Sequence, residues 1–370
     1  MSIAKMWSKL VTKPAASALY AAAFFIAFFA VTAQTAPIYE TGNLGNEIDR
    51  LKDLVFPKNS GLYLTPTTQE LTDFRALADS VENGLIEQAA TQAEALNYEM
   101  VVFTDTRNNR PYYLLREELD GFGSQTTGWG NYIFDPAERA NLLFEAPHPL
   151  YDTNTPELAI DIFYGTKAKG YLMAGAHRNQ GDGTFGHANV CGHTNSIFHI
   201  VHEEWSDAET LPFQIHGFDW DKHTNFPAGT DMVISNGDAV VHQPHIDLDA
   251  AFDDALLLSF VYNALSINDP VNIQVNTDWE NGGIVYGGTF SSLSGGYNVQ
   301  GQFTRNTYGQ AFLHCEHEQS IRFNDPDLWD PAVNAYVTAF GAPIPEPGTL
   351  LLLAPALLGI AGVLRRKLRA

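Results

Sequence analysis

The fold of this chain is best indicated by three consecutive segments, NLLFEAPHP (141–149), TPELAIDIFYGTKAKG (155–170) and YLMAGAHRN (171–179). The first and third are short apolar runs that end in polar residues, which is typical of buried strands. The second has the apolar spacing of a helix. This alternation predicts an α/β domain, and sites in such domains form where strands end and helices begin.

The same alternation continues along the chain. TNSIFHIVHEEW (194–205) and DLDAAFDDALLLSFVYNAL (247–265) are predicted helices. Further predicted strands are PFQIHGF (212–218), DMVISNG (231–237), VNIQVNT (271–277) and FLHCEHEQ (312–319). We therefore expect residues 141–340 to form an α/β domain with a mixed, mostly parallel central sheet and helices on both faces.

Residues 34–140 form a separate N-terminal segment in this interpretation. Apolar residues recur at spacings of three and four from about 67 to 97, which predicts an amphipathic helix. VVFTDT (101–106) and YYLLREE (112–118) flank an Asn-Asn-Arg-Pro turn and predict a hairpin. The pattern leaves open whether this segment packs against the sheet or stands as a lid.

The composition excludes one class of partner. The 370 residues are 45% hydrophobic and 12% aromatic, which is enough for a sizeable core. They include 21 basic and 43 acidic side chains, a net charge of −22, and seven of the basic ones lie at the extreme ends. Such an acidic body repels phosphate backbones, so nucleic acid is not an expected partner. Because only Cys191 and Cys315 are present, we expect any metal to be held by nitrogen and oxygen.

Residues 1–33 have the pattern of a signal peptide. A cationic start precedes the apolar run ALYAAAFFIAFFAV, and Val31-Thr32-Ala33 supplies small residues before a cleavage point. We expect cleavage after Ala33, and the alternative is a permanent amino-terminal membrane anchor.

Residues 344–370 contain a Pro-Glu-Pro-Gly motif, an apolar stretch that ends at Leu364, and the basic cluster RRKLRA. As a helix the apolar part would span roughly 25 Å, just enough to cross a bilayer core. This three-part end resembles the PEP-CTERM sorting signal of Gram-negative bacteria. The resemblance implies an exosortase-type sorting machinery as partner, membrane contact before processing, and export to the cell envelope, cell surface or extracellular matrix.

A plain single-pass anchor is the alternative for this end of the chain. In either case the body folds outside the cytoplasm, where a bridge between Cys191 and Cys315 is chemically permitted.

All twelve histidines fall between His148 and His317. His148 follows a predicted strand, and Asp152 and Glu157 come shortly after it, so that an imidazole and one of these two carboxylates are candidate zinc ligands. His216 ends a later strand and is the candidate third ligand. The glycine after His216 lets the backbone pass close to a site.

The last predicted strand places His314, Glu316 and Glu318 on one face, and Cys315 and His317 on the other. Three ionisable groups on one face are costly to bury unless they are paired, so this face is expected to line a cleft. Glu316 is the candidate general base, and His314 beside it is a further catalytic candidate.

Other polar residues at strand ends and helix faces have less specific signals. Arg178 ends a predicted strand and offers a planar cation to a carboxylate or a polarised carbonyl. His199 and His202 do not complete a His-Glu-x-x-His motif, and we interpret them as a polar helix face. The glycine-rich stretch 286–301 is interpreted as a mobile loop over a site.

With these residues in order, the region from about 140 to 325 looks like the zinc carboxypeptidase and N-formylglutamate amidohydrolase superfamily. Pro147-His148 resembles the Pro-His of the amidohydrolase branch, and Asp152-Thr153-Asn154 resembles its Asp-Thr-Asp segment. The resemblance implies a carboxypeptidase-like fold and zinc as cofactor. Two features depart from the pattern: the acidic partner follows His148 by four or nine residues rather than as His-x-x-Glu, and His216 precedes Gly rather than Ser.

The first functional hypothesis is an exported zinc-dependent hydrolase of amide or peptide bonds. A zinc-bound water would attack the carbonyl, Glu316 would carry protons, and Arg178 would orient a substrate carboxylate or stabilise the oxyanion. Peptides, acylated amino acids and cell-envelope polymers remain open as substrates. The alternative is a non-catalytic, acidic surface or matrix protein that binds divalent cations or polysaccharide.

Overall fold

Among the residues described by the computed structural model, eleven strands form one sheet. In chain order they are β1 (Ile38–Gly42), β2 (Tyr98–Asp105), β3 (Arg110–Glu117), β4 (Asn131–Phe134), β5 (Ala140–Ala146), β6 (Ala168–Met173), β7 (Leu211–Phe218), β8 (Thr230–Ser235), β9 (Asn272–Asn276), β10 (Val285–Gly288) and β11 (Leu313–Glu318). Their order across the sheet is β1-β2-β3-β4-β6-β5-β7-β11-β8-β9-β10.

The described residues are 35–137, 140–180, 186–222, 230–235, 272–276, 285–288, 293, 295–309, 312–323 and 326–341. Those from Ala36 onward belong to one compact unit. The predicted signal peptide (1–33), sorting tail (344–370) and helix 247–265 lie outside them. Within the described part of the chain, no helix combines the length and the apolar character needed to span a bilayer.

Helices cover both faces of the sheet. They are α1 (Leu44–Lys52), α2 (Thr68–Glu82), α3 (Ile86–Ala95), α4 (Thr155–Thr166), α5 (Ile197–Trp205), α6 (Val299–Tyr308), α7 (Gln319–Arg322) and α8 (Pro326–Phe340). Helices α1, α4 and α8 bury their apolar side chains against one face, and α2, α3 and α5 against the other. Leu142 and Phe144 of β5 belong to the first layer and Leu143 to the second, as the two-residue repeat of a strand requires.

The centre of the sheet is parallel. Strands β6, β5, β7 and β11 run in one direction, and β4 and β8 flank this block in the opposite direction. Helix α4 connects β5 to β6 as the sequence predicts. The expected α/β class with a mixed sheet is confirmed, and the carboxyl ends of the four parallel strands share one edge.

The N-terminal segment extends this sheet. Strands β2 and β3 form the predicted hairpin, and β4 joins them to β6. The helix predicted over 67–97 is two helices, α2 and α3. A capping box between Thr67 and Glu70 starts α2, whereas Gly84, with φ of +68°, reverses the chain in a conformation that other residues rarely adopt.

Candidate metal centre

The polar side chains of the site lie where β5, β7 and β11 end. His148 follows β5 by two residues, and His216 lies near the end of β7. Glu316 of β11 is in register with His216 on the neighbouring parallel strand. Residues in register on adjacent strands point to the same face of a sheet. Residues far apart in the sequence therefore meet at one edge.

A tight turn brings Asp152 back over His148. The Asp152 N–H donates to the carbonyl oxygen of His148 at 2.9 Å, and the Thr155 hydroxyl donates to the carbonyl oxygen of Asp152 at 2.7 Å. As a result, Oδ2 of Asp152 lies 3.1 Å from Nδ1 of His148 and 3.0 Å from Nδ1 of His216. All three side chains are buried. The structure thus brings three of the predicted ligands together.

The second nitrogen of each imidazole faces an amide oxygen. Nε2 of His148 lies 2.9 Å from Oδ1 of Asn189, and Nε2 of His216 lies 2.8 Å from Oε1 of Gln214. With the amide oxygens in these positions, neutral rings would carry their proton on Nε2 and present Nδ1 as an acceptor. In this tautomer, two acceptor nitrogens lie on either side of one carboxylate oxygen, and a metal ion suits such a position.

Burial and neighbouring groups determine the protonation states of His148 and Asp152. Burial lowers the pKa of His148 to about 4, so this ring is neutral near pH 7. Burial would raise the pKa of Asp152, but the neighbouring His148 and His216 outweigh burial and hold the pKa below its usual range. An ionised carboxylate next to a neutral imidazole is the donor state that a metal ion requires.

Cys191 adds a donor that the sequence interpretation left out. Its Sγ, a ring nitrogen of His148 and a ring nitrogen of His216 all lie within 4.8 Å of one another, and this group could hold a metal ion. Burial raises the pKa of the thiol well above its ordinary value. The expectation of nitrogen and oxygen donors alone therefore omits a sulfur at ligand distance. The available signal was the spacing of Cys191 between His187 and His193 in one short loop.

Strand β11 presents its two faces as predicted. The His314 ring stacks on His216 with centroids 4.3 Å apart, and Nε2 of His314 lies 3.9 Å from Oε1 of Glu316. Ligand atoms of these three residues also lie within 4.8 Å of one another. On the opposite face, Nε2 of His317 contacts the Tyr336 hydroxyl of α8 at 3.2 Å.

The two ionisable groups of β11 at the site have displaced pKa values. Burial, followed by the charge of Asp152, raises the pKa of Glu316 well above its ordinary value. Burial and the neighbouring His216 ring lower the pKa of His314 well below its ordinary value. Glu316 is therefore a carboxyl group that takes up a proton more readily than an exposed glutamate does.

Two adjoining clefts, of about 480 Å³ and 470 Å³, share Arg178, His216 and Glu316 in their walls. The Arg178 guanidinium lies over the Tyr151 ring, with Cζ 5.1 Å from its centroid, and Nη1 is 3.5 Å from Nδ1 of His148. The first cleft is also lined by Gly295–Asn298 of the predicted glycine-rich loop. Space for a substrate therefore exists on both sides of the imidazole pair.

Glu157, the second candidate for the acidic ligand, is not part of this group. Its carboxylate forms an ion pair with Lys52 of α1. Asp152 is the acidic side chain that reaches both imidazoles. Cys191 and Cys315 are both free thiols, so the bridge that export would permit is not formed in this structure.

The glycine after His216 has a specific reason. The Arg322 guanidinium lies flat against Gly217 and donates to the carbonyl oxygens of His317, Phe218 and Thr153. A Cβ atom at Gly217 would lie 2.3 Å from Cζ of Arg322. The predicted close approach at Gly217 is therefore real, but the approaching group is an arginine of the chain itself.

His199 and His202 form a polar face of α5, but that face is buried. His202 is fully buried against Glu145, and His199 contacts Glu203 through Nε2 at 3.1 Å. Gln214, Asn189 and Glu145 complete the polar surroundings of the site. Sequence reasoning missed them because they are single polar residues within or between apolar segments.

Comparison of the chain with protein-family models, with curated proteins and with solved structures gives no match.

Proposed function

We propose that the chain is a metal-dependent hydrolase of amide or peptide bonds, with zinc as the ion. The observation that carries this proposal is the meeting of two bare Nδ1 atoms and an ionised carboxylate next to a buried glutamic acid, between two clefts. Buried imidazole and carboxylate groups gathered in this way are costly in a purely structural role.

The donor atoms suit zinc. Imidazole nitrogen and carboxylate oxygen at three positions, with room left for substrate, are typical of catalytic zinc sites, and a nearby thiol also favours zinc over calcium or magnesium. His148, Asp152 and His216 would hold the ion, and Cys191 is the alternative donor. When bound, zinc would supply Lewis acidity to the scissile carbonyl and would lower the pKa of a water molecule.

The residues of the chain provide the rest of the chemistry. Glu316, with its raised pKa, would take a proton from the attacking water and deliver it to the leaving amine. Arg178 would orient a substrate carboxylate or the developing oxyanion. His314 would keep the His216 ring in place by stacking on it. It would also provide a polar neighbour for the Glu316 carboxyl group. A zinc carboxypeptidase-like or amidohydrolase-like substrate, such as a peptide, an acylated amino acid or a cell-envelope fragment, fits these roles.

Export is the second part of the proposal. It rests on the signal-peptide pattern of residues 1–33 and on the resemblance of residues 344–370 to a PEP-CTERM tail, which implies an exosortase-type partner and a location at the Gram-negative cell surface. Fractionation of cells that produce the chain, with and without residues 344–370, measures this directly.

Elemental analysis and a substrate panel test the enzymatic part. The purified full chain is expected to contain about one zinc per chain and to hydrolyse at least one N-acyl amino acid or peptide. His216→Ala should remove both properties, whereas Glu316→Gln should keep the zinc and lose turnover. Weak calcium binding that His216→Ala leaves unchanged would instead support the acidic matrix protein, and zinc without turnover would identify a metal-binding protein of another kind.

A further inference from the structure

A series of hydrogen-bonded, buried polar side chains begins at Gln214, next to His216, and ends at Thr304 on α6. Oε2 of Glu145 accepts from Nε2 of Gln214 at 2.9 Å, and Oε1 lies 2.5 Å from Nδ1 of His202. Nε2 of His202 lies 3.0 Å from the Thr304 hydroxyl. Glu145, His202, Gln214 and Thr304 are all fully buried. None of them is needed by the proposed chemistry.

The positions of the protons determine which of these buried side chains donate and which accept. The Thr304 hydroxyl donates to the carbonyl oxygen of Gln300 at 3.1 Å, so it accepts from His202 and Nε2 of His202 carries a proton. The short contact between His202 and Glu145 also contains one proton, on either partner. The other oxygen of Glu145 is therefore an acceptor in both cases, and it selects the NH2 end of Gln214.

A second contact selects the same orientation of Gln214. Oδ1 of Asn298 accepts from the backbone N–H groups of Gln300 and Gly301 at the start of α6. The Asn298 NH2 group must then face outward, and it donates to Oε1 of Gln214. Glu145 at one end and Asn298 at the other thus hold the Gln214 oxygen toward the site.

The orientation of Gln214 has a consequence for His216. Its oxygen also faces Nε2 of His216 at 2.8 Å and the Cys191 thiol at 3.3 Å. An oxygen held in this position favours a proton on Nε2 of His216, whereas Oδ2 of Asp152, 3.0 Å from Nδ1, favours the other tautomer. The Gln214 oxygen therefore acts to keep Nδ1 free as a ligand. The reversed amide would present NH2 to Nε2 and would move the proton to Nδ1, where it blocks coordination.

We propose that Gln214 is a positioning residue that fixes the metal-binding tautomer of His216, and that Glu145 and Asn298 hold Gln214 in place. The link to zinc rests on the proposed function, but the tautomer itself does not. Partners behind a ligating imidazole commonly change metal affinity by about 10- to 100-fold when they are removed. Gln214 is an amide rather than a carboxylate, so it sets the proton position without adding charge to a buried site.

The first measurement is made on the metal-stripped full chain labelled with ¹⁵N-histidine. Two-bond ¹⁵N–¹H correlation spectra distinguish the two tautomers, and His216→Ala identifies the His216 signals. We expect the Nε2–H tautomer in the wild type and a mixture containing Nδ1–H in Gln214→Met. The Nδ1–H tautomer in the wild type, or an unchanged tautomer in Gln214→Met, would overturn the proposal whether or not the chain binds zinc.

The second measurement is zinc affinity by chelator competition. Gln214→Met should weaken binding about 10- to 100-fold. Gln300→Met is the matched control, since Gln300 is equally buried and bonds only to the Val190 carbonyl oxygen through its side chain. Equal losses in both variants would show a packing effect and reject the positioning role.

Glu145 variants test the connection through Gln214. Glu145→Gln should behave as the wild type, because its oxygen still accepts from Gln214 while its NH2 donates to neutral His202. Glu145→Met should weaken zinc binding by a smaller factor than Gln214→Met, since Asn298 still holds the amide. In the Gln214→Met background Glu145→Met should cause no further loss. Additive losses would show that Glu145 does not act through Gln214.

Discussion

Two buried carboxylates of the same sheet have opposite surroundings. Glu117, at the end of β3, accepts five backbone N–H groups from the loop 126–130, at 2.7 to 3.3 Å. Asp152, at the end of the central block, faces two imidazole nitrogens that are acceptors in the neutral rings. The charge of Glu117 is satisfied by backbone N–H groups, whereas Oδ2 of Asp152 is shared between two imidazole nitrogens, where a metal ion could also bind. Burial alone therefore does not distinguish scaffold from site; the identity of the facing atoms does.

Removal of an imidazole should have the largest effect on this contrast. In His216→Ala the acceptor set loses one of its nitrogens, and zinc affinity should fall by on the order of 10³-fold. The fold around Glu117 should be unaffected, as shown by an unchanged circular dichroism spectrum. His199→Ala is the control, since His199 is a buried histidine of helix α5 that contacts Glu203. An equal loss of zinc in His199→Ala would remove the distinction between the two regions.

A third carboxylate, Glu316, sharpens the comparison because it has a raised pKa and is proposed as a base rather than as a ligand. Glu316→Gln keeps the shape but cannot carry a proton, so turnover should fall by about 10²- to 10⁴-fold while zinc content stays near that of the wild type. Steady-state kinetics with parallel elemental analysis measures both. Loss of zinc in this variant would make Glu316 a ligand instead of a base.

Amide substitution of Glu117 and of Asp152 should have opposite effects on stability and on zinc binding. Glu117→Gln replaces an acceptor by a donor next to five N–H groups, and the free energy of unfolding should fall by about 3 kcal/mol with zinc affinity unchanged. Asp152→Asn should weaken zinc binding but leave the metal-stripped protein as stable as the wild type or more so, because it removes the charge that faces the acceptors. Denaturant unfolding with and without zinc checks both expectations. A fall in metal-free stability in Asp152→Asn would contradict them.

Acid should weaken the imidazole region gradually rather than in one step. Burial lowers the pKa of His148 to about 4 and that of His317 to about 3, against 6.5 for an ordinary histidine. The unfolded chain binds more protons below pH 6.5, so the stability these neutral rings provide is complete above that pH. It is lost as the pH falls toward 4 and 3, by up to on the order of 3 kcal/mol per ring. Urea unfolding of the metal-stripped chain between pH 7 and 4 measures it, and a flat profile would contradict it.

The sequence pattern was sufficient for the elements that carry strong periodicity. The strand around Phe144, helix α4 and the hairpin of β2 and β3 follow from local spacing, and the polar residues at the strand ends follow from the topology of an α/β sheet. Helix α8 and strand β1 were not predicted, because the first has Pro331 within its sequence and the second is a short edge strand. The single helix predicted over 67–97 was wrong because Gly84 in the left-handed conformation separates two shorter helices.

Four residues of the site could be predicted because each is a chemically distinctive residue at or near a strand end: His148, Asp152, His216 and Glu316. The choice between Asp152 and Glu157 could not be predicted, since it depends on a turn that folds back over His148 and on Lys52, which is distant in sequence. The roles of Cys191, Gln214 and Glu145 could not be predicted from the sequence either. Their roles come from which atom faces which, and spacing in the sequence carries no information about that.

Strand β11 is near the end of the described chain, yet it lies in the middle of the sheet, between β7 and β8. Its position beside His216 is filled only when this late segment pairs with both β7 and β8. Non-local pairing of this kind delays folding. The candidate site is therefore incomplete until this late segment has joined the sheet.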